Sequence, residues 1–279
     1  METVYLNRDN LATWQEKAKP NVMALGCFDG LHNGHCKVIN TAYEEAVKRD
    51  VKLAVMSFFP HPKTVITNGK EHVRYLMPLS EKIARLESMG VDTFYIVEFN
   101  QKFATHPPEK FVVNYLIQLG VVHAVAGFDF CYGCRGAGNM DRLINDSGGL
   151  INVTKVEKVE YKGKKISSSC IRERLLTGTV EDLPPFLGNF YEVKCNWDGE
   201  DLIPQPYYTL PAPGRYAVTL KNQMGSMKVE VMVLETQGDP SLKCLTDIPP
   251  FLKGRLSIVW KRHIVIDNVQ TYDKKILIS

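Results

Sequence analysis

No stretch of the chain reaches the roughly 18 unbroken apolar residues that a bilayer-spanning helix requires, so no membrane span is expected. The first residues, METVYLNRDNLATW, hold no basic stretch followed by an apolar run, so no secretory signal is expected either. Charge of one sign is scarce. The 34 Lys and Arg face 31 Asp and Glu, a formal net charge of +3 over 279 residues. That excess is too small to argue for nucleic acid or an anionic membrane by charge alone, and it does not say what the protein does. The seven cysteines are odd in number and scattered, which fits reduced thiols in a cytoplasmic protein better than a disulfide framework. Only Cys131 and Cys134 lie close, in CYGC. A lone C-x-x-C without a second pair at metal spacing is a weak zinc or redox signal, and two small residues in a glycine-rich loop is the plainer reading. Repeats and low-complexity tracts are absent. A composition of 44% hydrophobic and 23% charged residues excludes a disordered or collagen-like chain. Oligomeric state stays open, a homo-oligomer included.

What is present is an alternation of strand and helix over the first two-thirds. VMALGCF (22–28), LAVMSFF (53–59), DTFYIVEF (92–99), VHAVAGF (122–128) and INVTKVEKVEY (151–161) read as strands, the first two as buried apolar runs. Between them lies a helix with Val38, Ile39, Ala42, Tyr43, Ala46 and Val47 on one stripe. A second helix starts from Ser80 as N-cap and stops at Gly90, and a third, PPEKFVVNYLIQLG, is opened by prolines and closed by Gly120. SSSCIRERLLTG is a further helix ended by Gly178. Repeated β-α-β units predict an α/β fold, a parallel sheet with helices on both faces.

The pattern changes after Pro184 and Pro185. GRYAVTL, MKVEVMVLE, SLKCLT, RLSIVW and HIVIDNV are strand-like runs separated by turn residues, which predicts a small all-β barrel or sandwich. The expected division is residues 1–186 and 187–279.

The most informative segment is GCFDGLHNGHCKVI, from Gly26 to Ile39, where the first strand gives way to its helix. Open α/β sheets bind ligands at such junctions. Gly26, Gly30 and Gly34 let backbone approach a ligand, and a helix N-terminus presents free N–H groups and a positive dipole end to an anion. His32 and His35 flank Gly34 as H-x-G-H. Two imidazoles there can hydrogen-bond a phosphoryl group and stabilise charge developing during its transfer. The spacing is neither the G-x-G-x-x-G of dinucleotide-binding proteins nor a Walker loop ending in G-K-[ST]. A second candidate is ISSSCIR (166–172), which sets three hydroxyls and Arg172 in the first turn of a helix. Alone it is a good N-cap; beside H-x-G-H it becomes a clamp for the far phosphates of a nucleotide.

H-x-G-H early and S-[ST]-x-x-R late in one domain resemble the nucleotidyltransferase superfamily. The finer resemblance is to the bacterial bifunctional riboflavin kinase/FMN adenylyltransferase (FAD synthetase) family. GCFDGLHNGH resembles its G-x-FDG-x-H-x-GH, SFFPHP (57–62) its TFEPHP, the FDFCYG stretch its G-x-[ND]-F-x-[FY]-G loop, and ISSSCIR its ISSTRIR. The likeness covers residues 20 to about 193 with four motifs in order. It implies a Rossmann-like nucleotidyltransferase domain that makes FAD and pyrophosphate from FMN and ATP with Mg²⁺, without a covalent enzyme intermediate. By that resemblance His32, His35 and Arg172 are the catalytic candidates. Gly26, Phe28, Asp29, Gly34, Gly127, Asp129, Ser168 and Ser169 would bind ATP. Phe58, Pro60, His61 and Pro62 would wall the flavin, whose ring needs a flat apolar surface. Ser169 stands at the family's Thr, Phe59 at its Glu and Cys170 at its Arg; none removes a group assigned to chemistry.

In the C-terminal part, LPAPGRYAV (210–218) and KGRLSIVWKRHI (253–264) resemble two strands of the family's riboflavin kinase barrel. The family's G-x-PTAN is replaced by WDGEDLIPQPYYT, and the position of its catalytic Glu falls at Lys243, with Glu230 a rival upstream. The sequence ends at KKILIS, before that kinase's terminal helix. The expectation is a degenerate barrel without kinase activity. The alternatives are a non-catalytic flavin or nucleotide sensor, a transferase for a different phosphate ester, and a bifunctional enzyme with a divergent kinase site.

Overall fold

The structure is a computed structural model and describes residues 1–235 and 241–265. Its first layer is a parallel sheet in the order β1 (Glu2–Leu6), β4 (Thr93–Glu98), β3 (Lys52–Phe59), β2 (Asn21–Leu25), β5 (Val121–Gly127) and β8 (Asn152–Val156). All five residues of β2 are buried, as expected of a central strand covered on both faces. The chain builds outward from β2 through β3 to β4 and then returns to add β5 on the other side. That reversal leaves a crevice at the carboxyl ends of β2 and β5, where ligands of open sheets bind. Sequence patterning missed β1, a short strand whose alternating exposure shows it to be a half-covered edge.

The helices are α1 (Leu11–Glu16), α2 (Asn33–Arg49), α3 (Pro62–Ile66), α4 (Leu79–Ser88), α5 (Gln101–Ala104), α6 (Pro108–Phe111), α7 (Met140–Asp146), α8 (Ser168–Leu176) and α9 (Pro184–Leu187). Helix α2 buries Val38, Ile39, Ala42 and Ala46, whereas Tyr43 and Val47 stay 47% and 63% exposed. Each four-residue step drifts about 40° around a helix of 3.6 residues per turn, and these two have drifted off the covered stripe. Helix α4 begins one residue ahead of Ser80, with Pro78 at the N-cap, so Ser80 lies inside its first turn. The helix expected at 107–120 starts as α6 and continues as a π-helix over Val112–Ile117. The expected strand at 151–161 ends at Val156, and a small hairpin of β9 (Glu160–Tyr161) with β10 (Lys164–Lys165) follows it. Another, β6 (Cys131–Tyr132) with β7 (Gly138–Asn139), folds the CYGC loop back on itself.

The second part is a closed antiparallel barrel in the order β11 (Glu192–Trp197), β12 (Leu202–Pro204), β15 (Ser241–Cys244), β14 (Ser226–Leu234), β13 (Gly214–Lys221) and β16 (Gly254–Ile264). Tyr216, Val218 and Leu220 of β13 and Val229, Val231 and Val233 of β14 alternate inward, the period of two that a barrel wall demands. RLSIVW and the start of HIVIDNV form one continuous strand, β16; residues 266–269 of that expected strand lie outside the described residues. Glu230, between inward-facing neighbours, faces outward and ion-pairs with Arg215, and Lys243 is exposed on β15.

The apolar core does not break where the barrel begins. Leu76, Ile171, Leu175, Val180, Leu183 and Phe186 form one cluster with Tyr216, Val231 and Trp260 of the barrel. Hydrogen bonds cross the same junction, from the Tyr191 hydroxyl to the Leu76 carbonyl at 2.9 Å and from the Ala212 N–H to the Leu175 carbonyl at 2.8 Å.

Candidate active site

A cleft of about 1180 Å³ opens at the carboxyl ends of the sheet strands. One end of it is built by the loop from β2 into α2. Phe28 and Leu31 adopt φ of 48° and 41°, a left-handed backbone that non-glycine residues avoid, and both are buried. This strained loop throws the side chain of His32 back over the start of α2. There its Nδ1 accepts the His35 N–H at 3.2 Å and caps the helix. The same hydrogen bond assigns the ring proton to Nε2, leaving a donor for a ligand. A Cβ on Gly34 would lie 3.2 Å from the His32 ring, so the bare backbone is what lets the imidazole settle there.

His32 and His35 stack with ring centroids 3.6 Å apart and 17° between planes, and Phe28 meets His35 edge-on at 5.3 Å. Burial pushes the His32 imidazolium down to about 4. Burial, then the neighbouring His32, pushes His35 well below its ordinary value. Both rings are therefore neutral at pH 7 and offer N–H donors rather than fixed cations. The Nδ1 of His35 is buried and has no partner among the described residues.

Helix α8 supplies the opposite side. The Ser167 hydroxyl oxygen accepts the Cys170 N–H at 3.3 Å and so is the true N-cap. Ser168 donates to the Asp29 carbonyl at 2.9 Å, Ser169 is exposed on the cleft wall, and Arg172 reaches back across it. The Arg172 guanidinium ion-pairs with Asp29, and its Nε donates to the Arg74 carbonyl at 2.6 Å. Asp29 is 2% exposed; burial raises its carboxyl pKa, with Arg172 the main opposing influence. Asp29 thus lies beneath the cleft and holds Arg172 in place. At the end of β5, Gly127 and Asp129 border the cleft, and Asp129 pairs with Lys165, whose ammonium sits 4.7 Å above the Phe128 ring.

The other end is apolar. Phe58 packs against Phe99 and Phe103 with centroids 6.0 and 5.9 Å away, and His61 and Pro62 complete the wall. Pro60 turns outward and is exposed. Burial pushes His61 down to about 4, and its backbone N–H donates to the Tyr75 hydroxyl at 2.9 Å. A smaller cavity of about 140 Å³ adjoins this end through Cys27, Phe58 and His61, and takes in Asp29, Lys82, Tyr75 and Tyr207.

Lys82, Lys165, Tyr75 and Tyr207 were not singled out from the sequence. Lys82 carried a signal: it falls on the stripe of Leu79, Ile83 and Leu86, where a helix packed on a sheet has no use for an ammonium. Its Nζ donates to the Cys27 carbonyl at 3.1 Å, and burial lowers its pKa. Among the described residues no group of three His, Cys, Asp or Glu gathers to hold a metal ion, and no helix is long and apolar enough to cross a membrane.

A parallel sheet with a two-histidine, helix-capping loop at its switch point, facing a hydroxyl-and-arginine helix, is an α/β protein of the nucleotidyltransferase kind. The family model described as FAD synthetase matches residues 14–170, and the chain belongs to that family. It is 44% identical over 194 residues to a bifunctional riboflavin kinase/FMN adenylyltransferase from Bacillus subtilis, covering 70% of this chain and 61% of the relative. A FAD synthetase from Listeria monocytogenes is 31% identical over 196 residues, covering 70% of this chain and 79% of the relative. The chain thus spans about three-fifths of the length of the Bacillus relative. A crystal structure titled as a macrolide-efflux protein from Streptococcus pneumoniae shares the fold, with a TM-score of 0.80, 22% identity and coverage of 96% of this chain and 94% of that one.

Proposed function

We propose that the protein is an FMN adenylyltransferase, joining FMN to the adenylyl group of ATP to give FAD and pyrophosphate. The observation that carries this reading is one continuous cleft with a phosphate end and an aromatic end. At about 1180 Å³ it exceeds the roughly 300–1,000 Å³ of ordinary single-ligand sites, as two bound substrates require. In the reaction an FMN phosphate oxygen forms a bond to the α-phosphorus of ATP while the bond to the bridging oxygen of pyrophosphate breaks. His32 and His35 donate N–H hydrogen bonds to the phosphoryl oxygens as charge builds there. Arg172, aimed by Asp29 and the Arg74 carbonyl, takes the β and γ phosphates together with Ser168, Ser169 and the free N–H groups of α8. Phe58, His61 and Pro62 orient the flavin. Mg²⁺ would arrive on the ATP phosphates, the usual manner for this ion.

Residues 1–186 are read as the transfer domain and 187–279 as a kinase-like barrel without riboflavin kinase activity. In support, Glu230 is tied to Arg215 on the outer surface and Lys243 is exposed, so neither presents a carboxylate base inward. Purified protein given FMN, ATP and Mg²⁺ should yield FAD and pyrophosphate; given riboflavin and Mg-ATP it should yield no FMN. FMN bound without FAD formation would mark a sensor, and FMN made from riboflavin would overturn the barrel assignment.

A further inference from the structure

The connection between β12 and β13, residues 205–213, belongs to the barrel by sequence but is anchored on the other side of the junction. Thr209 is 1% exposed; its Oγ1 donates to the Tyr75 carbonyl at 2.7 Å, and the residue lines the large cleft. The buried Tyr191 hydroxyl lies 2.9 Å from the carbonyls of both Leu76 and Thr209. These bonds fix the connection against the loop that carries Tyr75.

Two residues before Thr209, Tyr207 has φ of 70°, a backbone conformation that a bulky side chain rarely adopts. Its ring stands edge-on to Tyr75 at 5.8 Å and to Phe59 at 6.4 Å, both at 77°. The three rings wall the small cavity next to the aromatic end of the cleft, and Lys82 also lines it. Tyr75 in turn accepts the His61 N–H, so the group touches the main wall directly. Yet Tyr207 remains 58% exposed. A large aromatic side chain held in a strained conformation at the mouth of an aromatic slot has one face still without a partner.

We propose that Tyr207 is a specificity-determining residue of the transfer site, packing against the planar ring of the acceptor substrate, and that the barrel serves the site by carrying it. This rests on the adenylyltransferase reading for the identity of the acceptor. It gives the barrel a function that does not need kinase chemistry. A planar heteroaromatic ring would complete the cluster by the offset and edge-on contacts such rings favour.

The test uses the full chain with Tyr207→Ala, Tyr207→Phe and Tyr207→Gly, the last because glycine suits the positive φ and keeps the connection folded. Loss of the ring should raise the KM for FMN about tenfold while the KM for ATP and kcat each change less than about twofold. Tyr207→Phe should restore the wild-type KM, since the hydroxyl makes no hydrogen bond among the described residues. Quenching of FMN fluorescence on titration, without ATP, should rank the variants in the same order. Weakened quenching in Tyr207→Ala from a protein that makes no FAD would keep the contact between Tyr207 and the flavin ring and remove the transfer reading. Equal FMN affinity in wild type, Tyr207→Ala and Tyr207→Gly would overturn it, as would equal losses for FMN and ATP.

Discussion

Asp29, in the loop that follows the central strand, is ion-paired with Arg172 of α8, and the same carboxylate accepts the Leu76 N–H at 3.0 Å. The pair ties together two motifs far apart in sequence, and the arginine is held before any ligand arrives. Removing one partner of a buried pair leaves the other charge uncompensated, which costs about 3–5 kcal/mol. Asp29→Ala should therefore lower unfolding stability by an amount in that range and raise the KM for ATP. Denaturant titration measures the first and steady-state kinetics the second. A stability loss under about 1 kcal/mol would mean the pair is solvated, like a surface pair.

The proposed transfer assigns His32 to the transition state. Its Nδ1 is occupied by the His35 N–H, so only Nε2 is left to donate. His32→Ala should reduce kcat by about 10²–10³, the typical cost of one lost transition-state donor, while FMN binding weakens far less. Equal losses in turnover and in FMN affinity would assign the ring to ground-state binding instead.

Gly34 is confined by that same ring. A methyl group there would meet the His32 imidazole at 3.2 Å, so the ring must shift by a few tenths of an ångström. Gly34→Ala should lower kcat about tenfold through misplacement of the donor, with an unchanged or slightly raised melting temperature because alanine favours a helix. Unchanged turnover would show that the ring position is not critical.

The buried imidazoles give stability a defined pH dependence. His32 and His61 are pushed down to about 4 by burial, and His35 is lowered by burial and by His32. In the unfolded chain such groups take up protons near pH 6.5. Between about 6.5 and about 4 the unfolded state binds more protons, so their contribution is complete above that window and is lost as pH falls through it. The slope approaches about 1.4 kcal/mol per pH unit for each histidine. Melting temperatures should fall steadily as pH is lowered across this interval, and His61→Asn should flatten the curve. A flat wild-type curve would contradict neutral, buried rings.

Much of this was legible from the residues because the signals are local. VMALGCF and LAVMSFF carry the apolar runs of buried strands, although the first strand ends at Leu25, and H-x-G-H and ISSSCIR, each at a helix start, meet on one cleft. What escaped depends on contacts between distant segments. Nothing near Asp29 announces that its partner is Arg172 or that it lies under the cleft instead of in it. Pro60 was expected at the flavin wall from its motif, but it turns outward while its neighbours Phe58 and His61 face in. Ser80 looked like an N-cap by type, whereas the chain enters α4 a residue earlier through Pro78. Lys82 could have been noticed as a charge on an apolar stripe. Tyr207 could not, since its place is set by hydrogen bonds that Thr209 and Tyr191 make across the junction.

The most direct measurement is product analysis of the wild-type protein incubated with FMN, ATP and Mg²⁺, with FAD and pyrophosphate resolved by chromatography. The two should appear in equal amounts and depend on both substrates, and His32→Ala should abolish most of the signal. No FAD above background, with FMN bound to folded protein, would contradict the assignment of this cleft to adenylyl transfer.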